Sequence, residues 1–190
     1  SFDAVALIAK EGAIGMLMGL FLQIVLAALI SAGQIVAGGM GLSMANMIDP
    51  NVGNVPVISS FLLILSSLIF IGFGGHVVLI GLLLDSFTVI PIGMTFASTV
   101  TLGNLVSWSA MMFLGAVLLA LPLMVTMLFI NIGVGVITRA APSLNIFAVG
   151  FPALIPIGLV LITITTSFYF SRLESIWYSS FQFLQTIVSR

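Results

Sequence analysis

Charge is nearly missing from this chain. Only 5% of its 190 residues are Asp, Glu, Lys or Arg, against 61% hydrophobic, and the mean hydropathy is +1.39. A soluble domain of this length needs far more charge on its surface, so water is not the main solvent here. Lipid or other apolar helices take that place. Cysteine is absent, which excludes disulfides, thiolate metal sites and cysteine nucleophiles. A single histidine leaves no second imidazole for a metal site. Four basic residues against five acidic ones give no basic footprint, so nucleic acid is not expected as a partner. No H-E-x-x-H and no phosphate-binding glycine loop is present. Gly41-Leu42-Ser43-Met44 lacks the second glycine of a G-x-S-x-G nucleophile turn. These absences point away from an enzyme. No catalytic, cofactor-binding or metal-binding residue is expected.

What is there is helical and apolar. A spanning helix needs ~20 apolar residues. Four regions meet that need: Gly12 to Ala32, Val55 to Leu84, Val100 to Ile137, and Ile146 to Phe170. The expected fold class is all-α, a polytopic helical membrane protein with long kinked helices. The second and third regions exceed a ~30 Å hydrocarbon core, so each must tilt, kink, split or bury itself in protein. Gly74-Gly75 and Pro122 are the expected bending points. Gly33 to Asn54 is glycine-rich, and Asp49-Pro50-Asn51 in it signals a turn. Arg139 to Asn145 forms a short hairpin loop. From Ser171 the tail is amphipathic, with Trp177, Phe181 and Leu184 on one side, suited to a membrane interface or a partner groove. The run after Lys10 and Glu11 lacks a small-residue cleavage site and is not expected to be a signal peptide.

Several residues stand out against this background. Gly15 and Gly19 form a G-x-x-x-G pair that lets helix backbones approach. Asn131 puts an amide deep in an apolar run, where it needs a hydrogen-bond partner on another helix. His76 is expected to be neutral and bonded to a neighbouring helix, with a proton relay as the sharper alternative. Asp85 ends the second apolar region and suits an interface or a partner's charge. Asp49 suits a turn, where its carboxylate accepts from nearby backbone N–H groups. Two function classes fit these features. One is a non-enzymatic subunit of a larger membrane assembly. The alternative is a small-solute or ion transporter or channel subunit, although no inverted repeat is visible.

Local strings separate the two. Gly33-Gln34-Ile35-Val36 is followed by Met40-Gly41-Leu42-Ser43-Met44-Ala45 and Asp49-Pro50. Then come Gly75-His76, Asp85-Ser86-Phe87 and Ile90-Pro91-Ile92-Gly93. Ala120-Leu121-Pro122, Asn131-Ile132-Gly133, Arg139-Ala140-Ala141-Pro142, Asn145-Ile146-Phe147 and Gly150-Phe151-Pro152 complete the series. In order and spacing, over nearly the whole chain, it resembles the FliR family of flagellar export proteins. Virulence-secretion subunits are more distant relatives in this comparison. Members of the family usually begin with more N-terminal hydrophobic sequence, so this chain resembles their later part.

The resemblance implies a subunit of the flagellar type III export gate in the bacterial inner membrane, within the flagellar basal body. FliP-like and FliQ-like subunits would be its neighbours in a hetero-oligomeric helical spiral. FlhB-like and FlhA-like components, lipid and unfolded flagellar export substrates are the further partners implied. Residues 1–99 would be a FliP-like part with a glycine-rich plug loop at about 33–54. Residues 100–190 would be a FliQ-like helical hairpin with the amphipathic tail. The plug would involve Met40, Leu42, Met44, Asn46, Met47, Ile48, Asp49 and Pro50. Flexible methionines suit contact with varied chains. Gly15, Gly19, His76, Asp85, Asn131 and Arg139 would serve helix packing or inter-subunit contact. Energy would come from other parts of the apparatus, so no cofactor is implied.

Overall fold

The computed structural model describes residues 2–42, 57–89, 91, 102–141 and 151–188. Among them are six helices: α1 (Phe2–Gly39), α2 (Val57–Gly72), α3 (Gly75–Val89), α4 (Leu102–Ala140), α5 (Phe151–Ile164) and α6 (Thr166–Val188). No strand occurs among the described residues. Two helices, α1 and α4, are each long and apolar enough to cross a membrane. The pairs α2–α3 and α5–α6 pass the same test together, which makes up to four spans. The chain is an all-α membrane protein.

The core forms along α1 and α4, which run parallel. Phe21, Val25, Ala28, Ala32 and Val36 of α1 recur every three or four residues and are buried. Trp108, Met112, Ala116, Leu119, Leu123 and Met127 of α4 repeat in the same way and face them. Phe21 stacks on Trp108, with ring centroids 3.8 Å apart, and fixes the register at one end. Pro122 lies inside α4, and the helix continues through it. The expected bending point thus lies within one uninterrupted helix.

α2 crosses α1 where Gly33 lacks a side chain. A Cβ there would stand on the backbone and hydroxyl of Ser59. Ser59 Oγ donates to the Ile30 carbonyl at 2.9 Å, and Ser59 is fully buried. Both facts require backbone approach closer than any larger residue permits.

The two bends have different chemical causes. α2 and α3 meet at 66°. Gly74 adopts φ +68°, and its N–H donates to the Ile71 carbonyl at 3.0 Å, as at a glycine-capped helix end. The Gly74 carbonyl then accepts from Val77 and Val78, which starts α3. This corner agrees with the glycine pair in the sequence. α5 and α6 meet at 64° without glycine or proline at the break. There the hydroxyl of Thr165 donates to Leu161 O at 2.7 Å, and that of Thr166 to Ile162 O at 3.0 Å. Such back-bonding hydroxyls bend helices.

The amphipathic tail turns out to be most of α6, and its apolar side folds onto the chain itself. Trp177 and Leu184 are buried. The indole N–H of Trp177 donates to Ser66 Oγ at 2.8 Å, and its ring lies 4.7 Å from that of Phe70. The face expected to meet a membrane interface or a foreign groove is taken up by α2.

Candidate functional site: the anchored end of the first helix

The end of α1 is built by its own sequence. Gly41 takes φ +75°, a conformation that only glycine adopts without strain. Its N–H donates to Gly38 O at 3.1 Å, and the N–H of Leu42 donates to Ala37 O at 3.0 Å. This bond pair is a Schellman cap, and it turns the chain sharply out of the helix at Gly41.

Two other elements, α4 and α5, hold this end in place. Asn131 of α4 donates its side-chain N–H to the Gly39 carbonyl at 3.2 Å. Carbonyls in the last turn of a helix have no partner within it, so the amide satisfies a group that would otherwise be orphaned. Met40 is fully buried and lies over Gly158 of α5. A Cβ at Gly158 would come within 2.5 Å of Met40 Cε. Gly39 approaches Met127, whose Cβ is 3.6 Å from where a Gly39 side chain would begin. Leu42 is half-buried against the same core. Met44, Asn46, Met47, Ile48, Asp49 and Pro50 lie outside the described residues.

The remaining residues singled out from the sequence are dispersed. Gly15 and Gly19 are exposed, and added side chains would meet nothing within 4 Å. They pack on no described part of this chain. His76 lies exposed in the first turn of α3, and no described residue bonds to it. Within the described chain the expected bond to a neighbouring helix is not formed: the glycine corner before His76 turns it outward instead of into the core. Asp85 is exposed near the end of α3, where its backbone carbonyl accepts from Thr88. Arg139 is exposed in the last turn of α4, where a cation suits the helix dipole. No group of three His, Cys, Asp or Glu capable of holding a metal occurs among the described residues.

Sequence reasoning overlooked Gly158, Ser59 and Ser66. A glycine or serine in a hydrophobic run carries no signal of its own, because its role is set by the helix that crosses it. Only the small-residue pairing Gly33–Ser59 would have been visible, and only with the crossing already known.

These features define a class: a helical membrane protein with bent spans and a capped, anchored helix end. The particular family follows from comparison with known proteins. The chain belongs to the bacterial export proteins, family 1, which it matches over residues 1–180. It is 34% identical over 190 residues to the flagellar biosynthetic protein FliR of Escherichia coli strain K12, covering all of this chain and 73% of that protein. Its identity to the FliR of Pectobacterium carotovorum is 37% over 161 residues, covering 84% of this chain and 62% of that one. The Yop proteins translocation protein T of Yersinia pestis is 30% identical over 167 residues, 86% of this chain and 64% of its own length. The chain thus spans between about three fifths and three quarters of these relatives.

Proposed function

We propose that this chain is a non-enzymatic subunit of the flagellar type III export gate, forming part of its channel and plug in the bacterial inner membrane at the flagellar basal body. Family membership along almost the whole chain supports the export role. The observation that carries the plug assignment is the anchoring on either side of residues 43–56. Before them, Gly39 and Met40 are held by Asn131 and Gly158. After them, Ser59 is clamped to α1 at Gly33. Both ends of this segment are tied to one helix. The residues that flank it thus form a fixed frame, as a plug requires. FliP-like and FliQ-like subunits are the immediate neighbours in this reading, with FlhB-like and FlhA-like components beyond them. Unfolded flagellar proteins are the cargo, and they stabilise the open arrangement. Residues 1–99 make the FliP-like part and residues 100–190 the FliQ-like hairpin, α4–α5, continued by α6.

The test is closure. Apolar side chains at Leu42, Met44, Met47 and Ile48 would keep the constriction dry. Replacing Met44 and Met47 with Gly, or shortening 43–50, is expected to let small solutes enter cells while the complex still assembles. An assembled gate that lacks the loop and shows no added leak would place closure in another subunit.

A further inference from the structure

Between the glycine corner and α6 the chain carries an open cavity of about 420 Å³. Five aromatic rings line it: Phe70 of α2, Phe73 at the corner, and Trp177, Tyr178 and Phe181 of α6. Phe70, Trp177 and Phe181 are grouped, with centroids 4.7, 6.0 and 6.1 Å apart. The indole N–H of Trp177 is already engaged by Ser66 Oγ at 2.8 Å, so that ring is held in place. Phe73 and Tyr178 are exposed and stand at the rim.

One charged side chain lines the cavity, the carboxylate of Glu174. Ring faces are electron-rich and do not stabilise an anion. No cation pairs with Glu174 among the described residues. Arg172, two positions earlier, lies on the opposite side of α6, 5.4 Å from the Phe168 ring centroid. A carboxylate beside aromatic faces recognises an ammonium ion, by charge at the one and by cation–π attraction at the others.

The rest of the wall selects among ammonium ions. Glu174, Tyr178, Gln182 and Gln185 follow at intervals of four, four and three residues, so they share one face of α6. Each glutamine brings an amide with N–H donors. The cavity therefore offers an acceptor for a cation and, two turns along, donors for an anion. The eight residues between Glu174 and Gln182 span about 12 Å of helix, and two long side chains close much of it. A lysine from another polypeptide has no anion to give these amides. The headgroup of a zwitterionic phospholipid has both charges, an ammonium and a phosphate on a short linker. The depth agrees. Arg172 and Glu174 are the charged residues of α6, and Trp177 and Tyr178 follow within a turn, the composition of the headgroup layer. α3 borders the cavity at Val78 and leaves Val77, Ile80 and Leu84 exposed, an apolar surface for acyl chains.

We propose that this cavity binds the headgroup of one zwitterionic phospholipid, with its ammonium against Glu174 and the ring faces and its phosphate against Gln182. The lipid then ties the α2–α3 corner to α6. This site needs only that the chain lies in a membrane, and does not depend on the export-gate reading.

The test uses the tagged full chain, purified with whatever subunits accompany it and reconstituted into phosphatidylglycerol vesicles. A trace of phosphatidylethanolamine with a diazirine in one acyl chain is included, and adducts are mapped by peptide mass spectrometry after irradiation. Adducts are expected at the α2–α3 corner and on α3. Unlabelled phosphatidylethanolamine should remove them, and further phosphatidylglycerol of the same chains, which lacks the ammonium, should not. Glu174→Gln should lower the adduct yield about tenfold, as loss of a charge-assisted contact implies. Phe181→Leu, which keeps an apolar side chain but removes the ring, should lower it less. Arg172→Gln, on the other side of α6, should leave it unchanged. Adducts removed equally by phosphatidylglycerol, spread over all exposed helix faces, or undiminished in Glu174→Gln would overturn the assignment. So would a carbodiimide crosslink joining Glu174 to a lysine of another polypeptide, which would give the cavity to a protein. The competition arm uses the unaltered chain, so it decides even where a variant fails to assemble.

Discussion

The two halves of α1 are equally apolar and entirely different in use. From Phe21 to Met40 its inner face disappears into the core, with Val25, Leu29 and Ala32 fully buried. From Ala4 to Leu20 most described residues are exposed and only Ile14 among them is buried: Ile8 is 73% and Met16 77% accessible. Composition does not distinguish them. What differs is the presence of a helix to pack on. The later half meets α4 and crosses α2 at Gly33, while Gly15 and Gly19 have open space beside them. A chain solvated by its neighbours can leave half a helix bare, because lipid or another subunit completes it. A soluble protein with such a surface would aggregate.

The strongest way to break this contrast is at the crossing. Gly33→Val would drive a branched side chain into the Ser59 backbone, which cannot move aside cheaply. Overpacking of a tight core costs ~1–3 kcal/mol, and the upper end or beyond is expected here. Folded yield, read as the monodisperse fraction of a fluorescent fusion in detergent, should collapse. A normal yield would mean that α1 and α2 are not packed as described.

Asn131→Leu is the next largest. It removes the donor to Gly39 O and leaves that carbonyl without its partner. A loss of about 0.5–2 kcal/mol is expected from membrane hydrogen-bond magnitudes. Assembly should fall while membrane insertion is unchanged. An unchanged assembly yield would remove Asn131 from the anchor.

Gly158→Ala sharpens the comparison with Gly33. Its added methyl meets Met40 side-chain atoms instead of backbone, and a thioether can rotate away. Less than ~1.5 kcal/mol is expected, well below the Gly33 substitution in the same assay. Equal losses at the two positions would show that Met40 is held rigidly.

Gly15→Leu and Gly19→Leu should leave the chain's own packing unaltered, since neither side chain meets anything described within 4 Å. Their effect, a lower yield of the assembled complex, should appear only when neighbouring subunits are present. An assembly yield equal to the parent's would mean that this half of α1 faces lipid.

Much of the fold was legible in the sequence because its signals are local. Long apolar runs with few charges give the spans, and Gly74-Gly75 gives one corner. The other corner was missed. Its signal, Thr163-Ile164-Thr165-Thr166, is a cluster of hydroxyls whose competition with the helix depends on how they rotate. Pro122 lies within an uninterrupted helix, since a helix packed along its length carries a proline without breaking. At the candidate site, Asn131 was legible because an amide in hydrocarbon demands a partner. Its acceptor, a carbonyl 92 positions earlier, was not. The outward position of His76 was not legible, because hydropathy registers the apolar neighbours along the chain and not the direction in which a glycine corner points the next residue.

In the proposed gate this chain is completed by unlike membrane subunits. The direct measurement is purification of the tagged chain from cells that make it alone, and from cells that also make FliP-like and FliQ-like proteins, followed by native mass measurement of both. The expected result is degradation or aggregation in the first case and a discrete complex with unlike subunits in the second. A monodisperse, well-folded monomer or homo-oligomer from cells making the chain alone would contradict it, and would return the small-solute transporter to consideration.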